Sequence, residues 1–217
     1  LERNGFPEET YHTFSYSPIP ADEGGVGGML CVVTEDTERT LSERRLRMLR
    51  ELAARSTEEA KSVADACQSA ARTLAENPRD VPFSLIYLLE DSGATAVLES
   101  ASGIAAGSRA AATRVSLDAG EHSDTEWPLH RALASGPIEV RDLQARFGAL
   151  SGGPWSEPAQ TALVVPMAKP GQSRPAGFLV AGTSPRLPFT EEYKGFLQLL
   201  AGQVATAVSN ASAYEEE

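Results

Sequence analysis

The histidines, and the serines beside them, are the first places to look for chemistry. His122-Ser123-Asp124 holds the three residue types of a hydrolase triad. Neighbours in sequence cannot point at one another in the geometry of nucleophile, base and orienting carboxylate, so this reads as a polar loop. Ser151-Gly152-Gly153 lacks the glycine two positions before the serine that a nucleophile elbow uses. Gly25, Gly27 and Gly28 lead into a strand-like run, so no helix N-terminus follows that could hold a phosphate. His12, His122 and His130 show no metal-ligand spacing with Cys31 or Cys67, and neither a metal nor a cofactor is expected. What remains is chemistry of a binding kind. Trp127, His130, Phe147 and Trp155 fall in one poorly patterned stretch, and Tyr87 is the polar-tipped aromatic of an apolar run upstream. An aromatic box with a few polar groups suits an unidentified small ligand. Large aromatics are more often simply core, and Trp127 is expected to behave so.

The elements that would position these residues are clearest in the last third of the chain. The runs TALVVPMAK and AGFLVAGTS flank a Pro/Gly/Ser cluster and read as a hairpin. Both are apolar at consecutive positions, which implies a sheet covered on both faces. A helix follows, with Thr190 as N-cap and Glu191 and Glu192 at the positive end of its dipole. From Tyr193 through Leu197, Leu200, Val204, Ala207 and Ala211 to Tyr214, its apolar residues alternate in four–three spacing. That is a heptad seam, and it leads into the acidic run of residues 215–217 like a cable leaving the domain.

Composition narrows the partners. A net charge of −11 and an isoelectric point near 4.8 argue against nucleic acid or an anionic membrane. The uncharged residues 195–213 are interrupted by Gln198, Gln203, Thr206, Ser209, Asn210 and Ser212, too polar for a membrane span. Two cysteines in 217 residues fit a reducing cytoplasm, and with no signal-peptide pattern after Leu1 the chain reads as an excised piece of a cytoplasmic protein.

Upstream, YHTFSYS at residues 11–17 and VGGMLCVV at residues 26–33 read as strands joined by a turn at Asp22-Glu23-Gly24-Gly25. A helix begins after Glu35-Asp36-Thr37, and Ser56 and Glu59 have capping-box spacing, marking a second start or a joint. The hairpin followed by Glu35-Asp36-Thr37-Glu38-Arg39 resembles the end of a PAS domain, whose Asp-x-Thr motif hands the last strand to a signalling helix. That resemblance implies a signal exit at Glu35 and Thr37, with Glu35 replacing the family's aspartate. Two such strands cannot form a PAS pocket. With both edges free they should pack on another surface, pair with a second copy, or show raised mobility.

Further on, PFSLIYLLE, WPLHRALASGPIEV, ALVVPM and GFLVAG follow in order. Their succession resembles a GAF domain, in particular the one that follows a PAS domain in bacterial sensor histidine kinases. The resemblance implies an α/β fold of α+β type: an antiparallel sheet with terminal helices on one face and a helical insert on the other. The expected divisions are residues 1–36 for the PAS hairpin, 37–56 for the linker helix, 57–214 for the GAF domain and 215–217 for the exit linker. Neither the bilin-attachment cysteine nor the cyclic-nucleotide signature of other GAF branches is present.

The function expected from this resemblance is non-catalytic. The module would relay a signal to a kinase transmitter domain in the same chain of a protein histidine kinase. The alternative is a dedicated small-molecule sensor controlling another output, such as a phosphatase. A parallel homodimer is expected, with Leu46, Leu49, Ala53, Leu197, Leu200, Val204, Ala207 and Ala211 in its helical interface.

Overall fold

In a computed structural model that describes residues 1–3, 5–57, 62–118, 126–168 and 174–215, the chain divides into two units, Leu1–Leu46 and Arg47–Glu217. Within the first, a short pair, β1 (Glu2–Arg3) and β2 (Phe6–Pro7), precedes a hairpin of β3 (His12–Pro20) and β4 (Val26–Glu35). Gly24 and Gly25 take φ of 88° and 86° in the connecting turn, a conformation that suits glycine. Register places Phe14 opposite Val33, Tyr16 opposite Cys31 and Pro18 opposite Met29. One hairpin face is therefore largely apolar, and it is bare: Phe14, Tyr16 and Met29 are 56%, 60% and 66% exposed.

Helix α1 (Thr37–Thr57) crosses the division between the units. The compact unit thus takes in the second half of α1, upstream of the expected domain start at residue 57. The reason is burial in the second half of the helix. Met48 and Leu52 are buried, and Arg55 donates to Thr73 Oγ1 at 3.0 Å and to Glu76 at 3.1 Å. The second helix start expected from Ser56 and Glu59 falls a few residues later. Helix α2 (Val63–Ala75) is capped by Ser62, whose hydroxyl accepts from Asp65 N at 3.1 Å. Glu59, the other residue of that expected pair, lies outside the described residues.

The sheet of the second unit is fully antiparallel. It comprises β5 (Ser84–Leu89), β6 (Thr95–Ser102), β7 (Arg114–Ser116), β8 (Ile138–Val140), β9 (Ala162–Pro166) and β10 (Gly177–Gly182) in the order β7-β6-β5-β10-β9-β8. Helices α3 (Leu129–Ser135) and α4 (Leu143–Phe147) lie in the insert, and α5 (Glu191–Glu215) closes the unit. Side chains alternate across each strand. Phe83, Leu85, Tyr87, Ala162, Val164, Phe178 and Val180 join the core layer that contains Trp127, Leu129, Leu143 and Phe147 of the insert. The alternate residues Ile86, Leu163, Val165, Leu179 and Ala181 are equally buried and belong to the opposite face, where α2 and α5 pack. Two-sided burial is what the unbroken apolar runs imply, and the alternation settles which face meets the insert.

The seam of α5 has a different use from the one expected. Leu197, Leu200 and Val204 are fully buried within the protomer, and Ala207 and Ala211 nearly so. Ala207 and Ala211 pack with Ala66 of α2, small residues that let the two helices approach closely. Val63 N donates to Glu215 Oε1 at 3.1 Å at the far end of that contact. These five residues are core and cannot also form a dimer interface. A period of 3.6 imitates a heptad over a few turns, so the spacing alone did not separate the two uses. On α1, Leu46 is 47% exposed, while Leu49 and Ala53 are half-buried. No described helix is long and apolar enough to cross a membrane.

One buried hydroxyl fixes the start of α5. Thr190 caps it, accepting from Tyr193 N at 3.3 Å. The Tyr193 hydroxyl accepts from Ser184 N at 3.0 Å and donates to the Asp80 carbonyl, joining the loops that flank β5 and β10. Tyr193→Phe keeps the ring and orphans both backbone groups. It should cost about 1–3 kcal/mol in a denaturant titration with an unchanged m-value.

Candidate functional site

The insert is held down by aromatic packing and two hydrogen bonds to backbone. Trp127 stacks on Phe147 with centroids 4.4 Å apart and lies 6.2 Å from Phe83. Its indole N–H donates to the Ala110 carbonyl at 2.6 Å, which satisfies the one polar atom a buried tryptophan carries. Tyr87 is buried beneath, and its hydroxyl donates to the Ala112 carbonyl at 2.9 Å. Burial pushes the Tyr87 phenol well above its ordinary range, so it stays a neutral donor. Of the expected ligand box, Tyr87, Trp127 and Phe147 come together in one core layer. His130 stands nearby on α3, half-buried.

Trp155 sits elsewhere. The guanidinium carbons of Arg79 and Arg186 lie 5.2 and 4.6 Å from its ring centroid, and Arg186 is held by Glu157 at 2.9 Å. The ring is clamped between cations rather than turned to the Trp127 cluster. His122, Ser123 and Asp124 fall outside the described residues.

Two side chains that sequence reading passed over border the Trp127–Phe147 pair. Glu126 directly precedes Trp127, and Arg146 directly precedes Phe147. Arg146 Nη2 donates to the Glu126 backbone carbonyl at 2.7 Å, which draws the two residues together. Nevertheless Arg146 Nε and Glu126 Oε2 are both shut off from solvent without a hydrogen-bond partner. Such orphans are uncommon, and each asks for a reason. The backbone that presents Arg146 is special too. Asp142, before α4, has φ 56°, the one non-glycine left-handed residue among those described, and its carbonyl accepts from Arg146 N at 3.3 Å. Charged residues are scattered through the insert, so the sequence offered no signal that sets these two apart.

In the first unit, Glu35 and Thr37 are joined by hydrogen bonds. Glu35 accepts from Arg3 at 2.8 and 3.0 Å, and from the Thr37 hydroxyl at 3.0 Å. Thr37 Oγ1 in turn accepts from Tyr11 N at 2.9 Å, tying the start of α1 to the start of β3. The bonds from Arg3 and then Thr37 hold the Glu35 carboxyl below its usual range.

Two nucleophile-type side chains among the described residues are buried. Ser108 Oγ is buried without a hydrogen-bond partner. Burial, with a smaller effect from Glu99, pushes the Cys67 thiol up to about 12, which keeps it protonated and unreactive. Among the described residues no group of three or more His, Cys, Asp or Glu could hold a metal ion.

A six-stranded antiparallel sheet between terminal helices and a small helical insert defines an α+β architecture. Residues 60–209 match the family model described as GAF domain, and the chain belongs to the GAF family. Among solved structures it resembles the GAF domain of a phosphoenolpyruvate-protein phosphotransferase from Coxiella burnetii, at 19% identity and TM-score 0.57, over 81% of this chain and 98% of that one. It also resembles free methionine-R-sulfoxide reductase from Neisseria meningitidis in complex with its substrate, at 19% identity and TM-score 0.54, over 78% and 90%. The GAF-B domain of DevS from Mycobacterium smegmatis follows at 20% identity and TM-score 0.50, over 71% and 98%. These likenesses establish the fold. No curated protein matches the sequence.

If Trp127 is a structural post, truncation must open a cavity. Trp127→Ala should destabilise the second unit by about 3–5 kcal/mol. Trp127→Phe should cost less, the loss of one hydrogen bond and some packing. Paired thermal melts of the two variants check this, and near-equal losses would contradict it.

Proposed function

We propose that this chain is a non-catalytic sensory and regulatory module of a bacterial two-component sensor histidine kinase. It acts in the cytoplasm and relays a signal through its helices to a transmitter domain in the same parent chain. The observation that carries this reading is the two-sided sheet. Along β9 and β10, successive side chains belong alternately to the insert layer and to the layer of α2 and α5. A change at the insert therefore reaches α5 through residues adjacent in sequence, with no space for it to be absorbed. The exit motif at Glu35 and Thr37, and its likeness to a PAS terminus, support the placement of a PAS hairpin upstream. The GAF family as such is generally non-catalytic, although reductases share the fold.

The module acts as a parallel homodimer, because a signal entering both subunits at one end must leave them at the same end. With the former seam buried, the surface left for a partner helix is the open side of α5. There Leu199 is 59% exposed, and an added side chain at Gly195 or Gly202 would meet nothing of its own chain. Those glycines weaken the helix by about 1 kcal/mol each relative to alanine, a cost that close approach of a second helix would offset.

A second reading is favoured by the orphaned Glu126 and Arg146 atoms: a ligand sensor controlling some other output domain, such as a phosphatase. Two measurements test the first. Light scattering should give twice the monomer mass, with Leu199→Glu shifting the protein to monomer at an unchanged melting temperature. Labelled ATP should place acid-labile phosphate on a histidine of the full-length parent. A wild-type monomer at high concentration would remove the dimer, and a parent without phosphohistidine would favour the second reading.

A further inference from the structure

We infer that the outer edge of β4 is the docking site for the same edge of a second copy, the two strands pairing antiparallel about Cys31. The inference rests on the homodimer reading and adds to it a contact in the first unit. Backbone direction shows which edge of the hairpin is open. Asp36 N donates to the Tyr11 carbonyl at 2.9 Å, and the ladder bonds alternate from there along the register. Thr13, Ser15 and Ser17 therefore turn their backbone groups toward β4, whereas His12, Phe14, Tyr16 and Pro18 turn theirs outward. Past the bulge, Ala21 N donates to the Gly25 carbonyl at 3.1 Å, so Pro20 also faces outward. Two prolines without an N–H thus blunt the free edge of β3. On β4 the outward groups belong to Met29, Cys31, Val33 and Glu35, none of them proline. Among the described residues no strand pairs with either outer edge, so β4 keeps an open row of donors and acceptors.

The occupant follows from the strand's own sequence. Pairing β4 with its copy about Cys31 sets that residue opposite itself, Met29 opposite Val33 and Leu30 opposite Val32. All five are exposed in the single chain, and apolar cross-strand pairs of this kind stabilise a sheet. Charge also favours a copy at this edge. The chain carries −11, yet β3 and β4 hold one charged side chain between them, Glu35, and Arg3 neutralises it at 2.8 Å. In the Cys31 register Glu35 falls opposite Gly27, so no like charges meet. A two-fold axis along which terminal helices run parallel reverses any strand that crosses it at right angles, so both contacts fit one symmetry. A pair of short edges is marginal in water on its own. Holding two copies together through α5 raises the effective concentration of the second edge.

The test is oxidation of the 217-residue chain with diamide, which takes up the two thiol hydrogens and leaves one disulfide. Across the axis the two Cys31 Cα atoms would lie about 5.5 Å apart, within disulfide reach. Cys67 is buried and does not compete. A covalent dimer should form through Cys31 and vanish in Cys31→Ser. Register is read in that background: Met29→Cys or Val33→Cys alone should give no disulfide, whereas an equal mixture of the two should. Val33→Pro removes an outward N–H and no bond of the hairpin, and Val33→Lys adds a charge with every backbone bond kept. Each should slow Cys31 cross-linking roughly tenfold or more. Leu199→Glu should slow it roughly a hundredfold by dissolving the α5 contact. A dimer by light scattering whose Cys31 thiols fail to cross-link overturns the pairing and leaves the dimer reading standing. A monomer that cross-links in register does the reverse, and a monomer that does not cross-link removes both. Single cysteines at 29 or 33 that link to themselves as fast as the mixture would overturn the pairing. So would a cross-link lost in a longer parent chain, which would give the edge to the parent's own upstream strand.

Discussion

Everything in the second unit depends on a sheet whose central strands have no solvent face. β10 lies between β5 and β9, and each of its six residues is buried. Residue side chains above and below must therefore be matched to two different layers at once. Two glycines show how tight this is. A side chain at Gly177 would run into the Tyr87 carbonyl, and one at Gly182 would run into the Phe83 ring. Burying an apolar side chain of this size contributes about 1.5–3 kcal/mol, so the insert and the terminal helices are each held by several such contributions through the same strands. Neither layer can shift without disturbing the other, which is the property a relay needs.

The same constraint decides what α5 is. Its apolar stripe is consumed by its own sheet and by α2 from Tyr193 to Ala211, and Tyr193 anchors it further with a buried hydroxyl. The helix is a wall of the domain along almost its whole length, with Gln198 and Leu199 turned outward. The first unit is a separate matter. There the hairpin shows an apolar face to solvent, and its connection to α1 is specified by polar bonds among Arg3, Tyr11, Glu35 and Thr37.

Much of the fold was legible because burial writes itself into sequence. Doubly apolar runs such as residues 162–166 and 177–182 announced a covered sheet, and Thr190 announced the last helix. The hairpin of residues 12–35 followed from its turn chemistry. Legibility failed where one pattern serves two purposes. Leu197, Leu200 and Val204 have a spacing that fits a partner helix or a sheet equally, and only the folded chain shows the sheet holding them. The candidate site was half legible for a related reason. Tyr87, Trp127 and Phe147 were found as aromatics, since large apolar groups gather in any core. Trp155 shares their type but is carried off by Arg79 and Arg186, contacts distant in sequence. Glu126 and Arg146 went unnoticed because nothing in a sequence marks a charge as buried and unpaired. The capping error was of a local kind, with Ser62 and Asp65 offering the same hydrogen bond six residues past Ser56.

The central claim is that α5 belongs to the core of its own protomer. Native-state amide exchange, followed residue by residue, addresses it most directly. Amides between Tyr193 and Val208 should open with the same free energy as those of β10, and their protection should not change on dilution. An α5 that exchanges much faster than β10, or loses its protection as the protein is diluted, would show a helix held by a partner and would contradict the account.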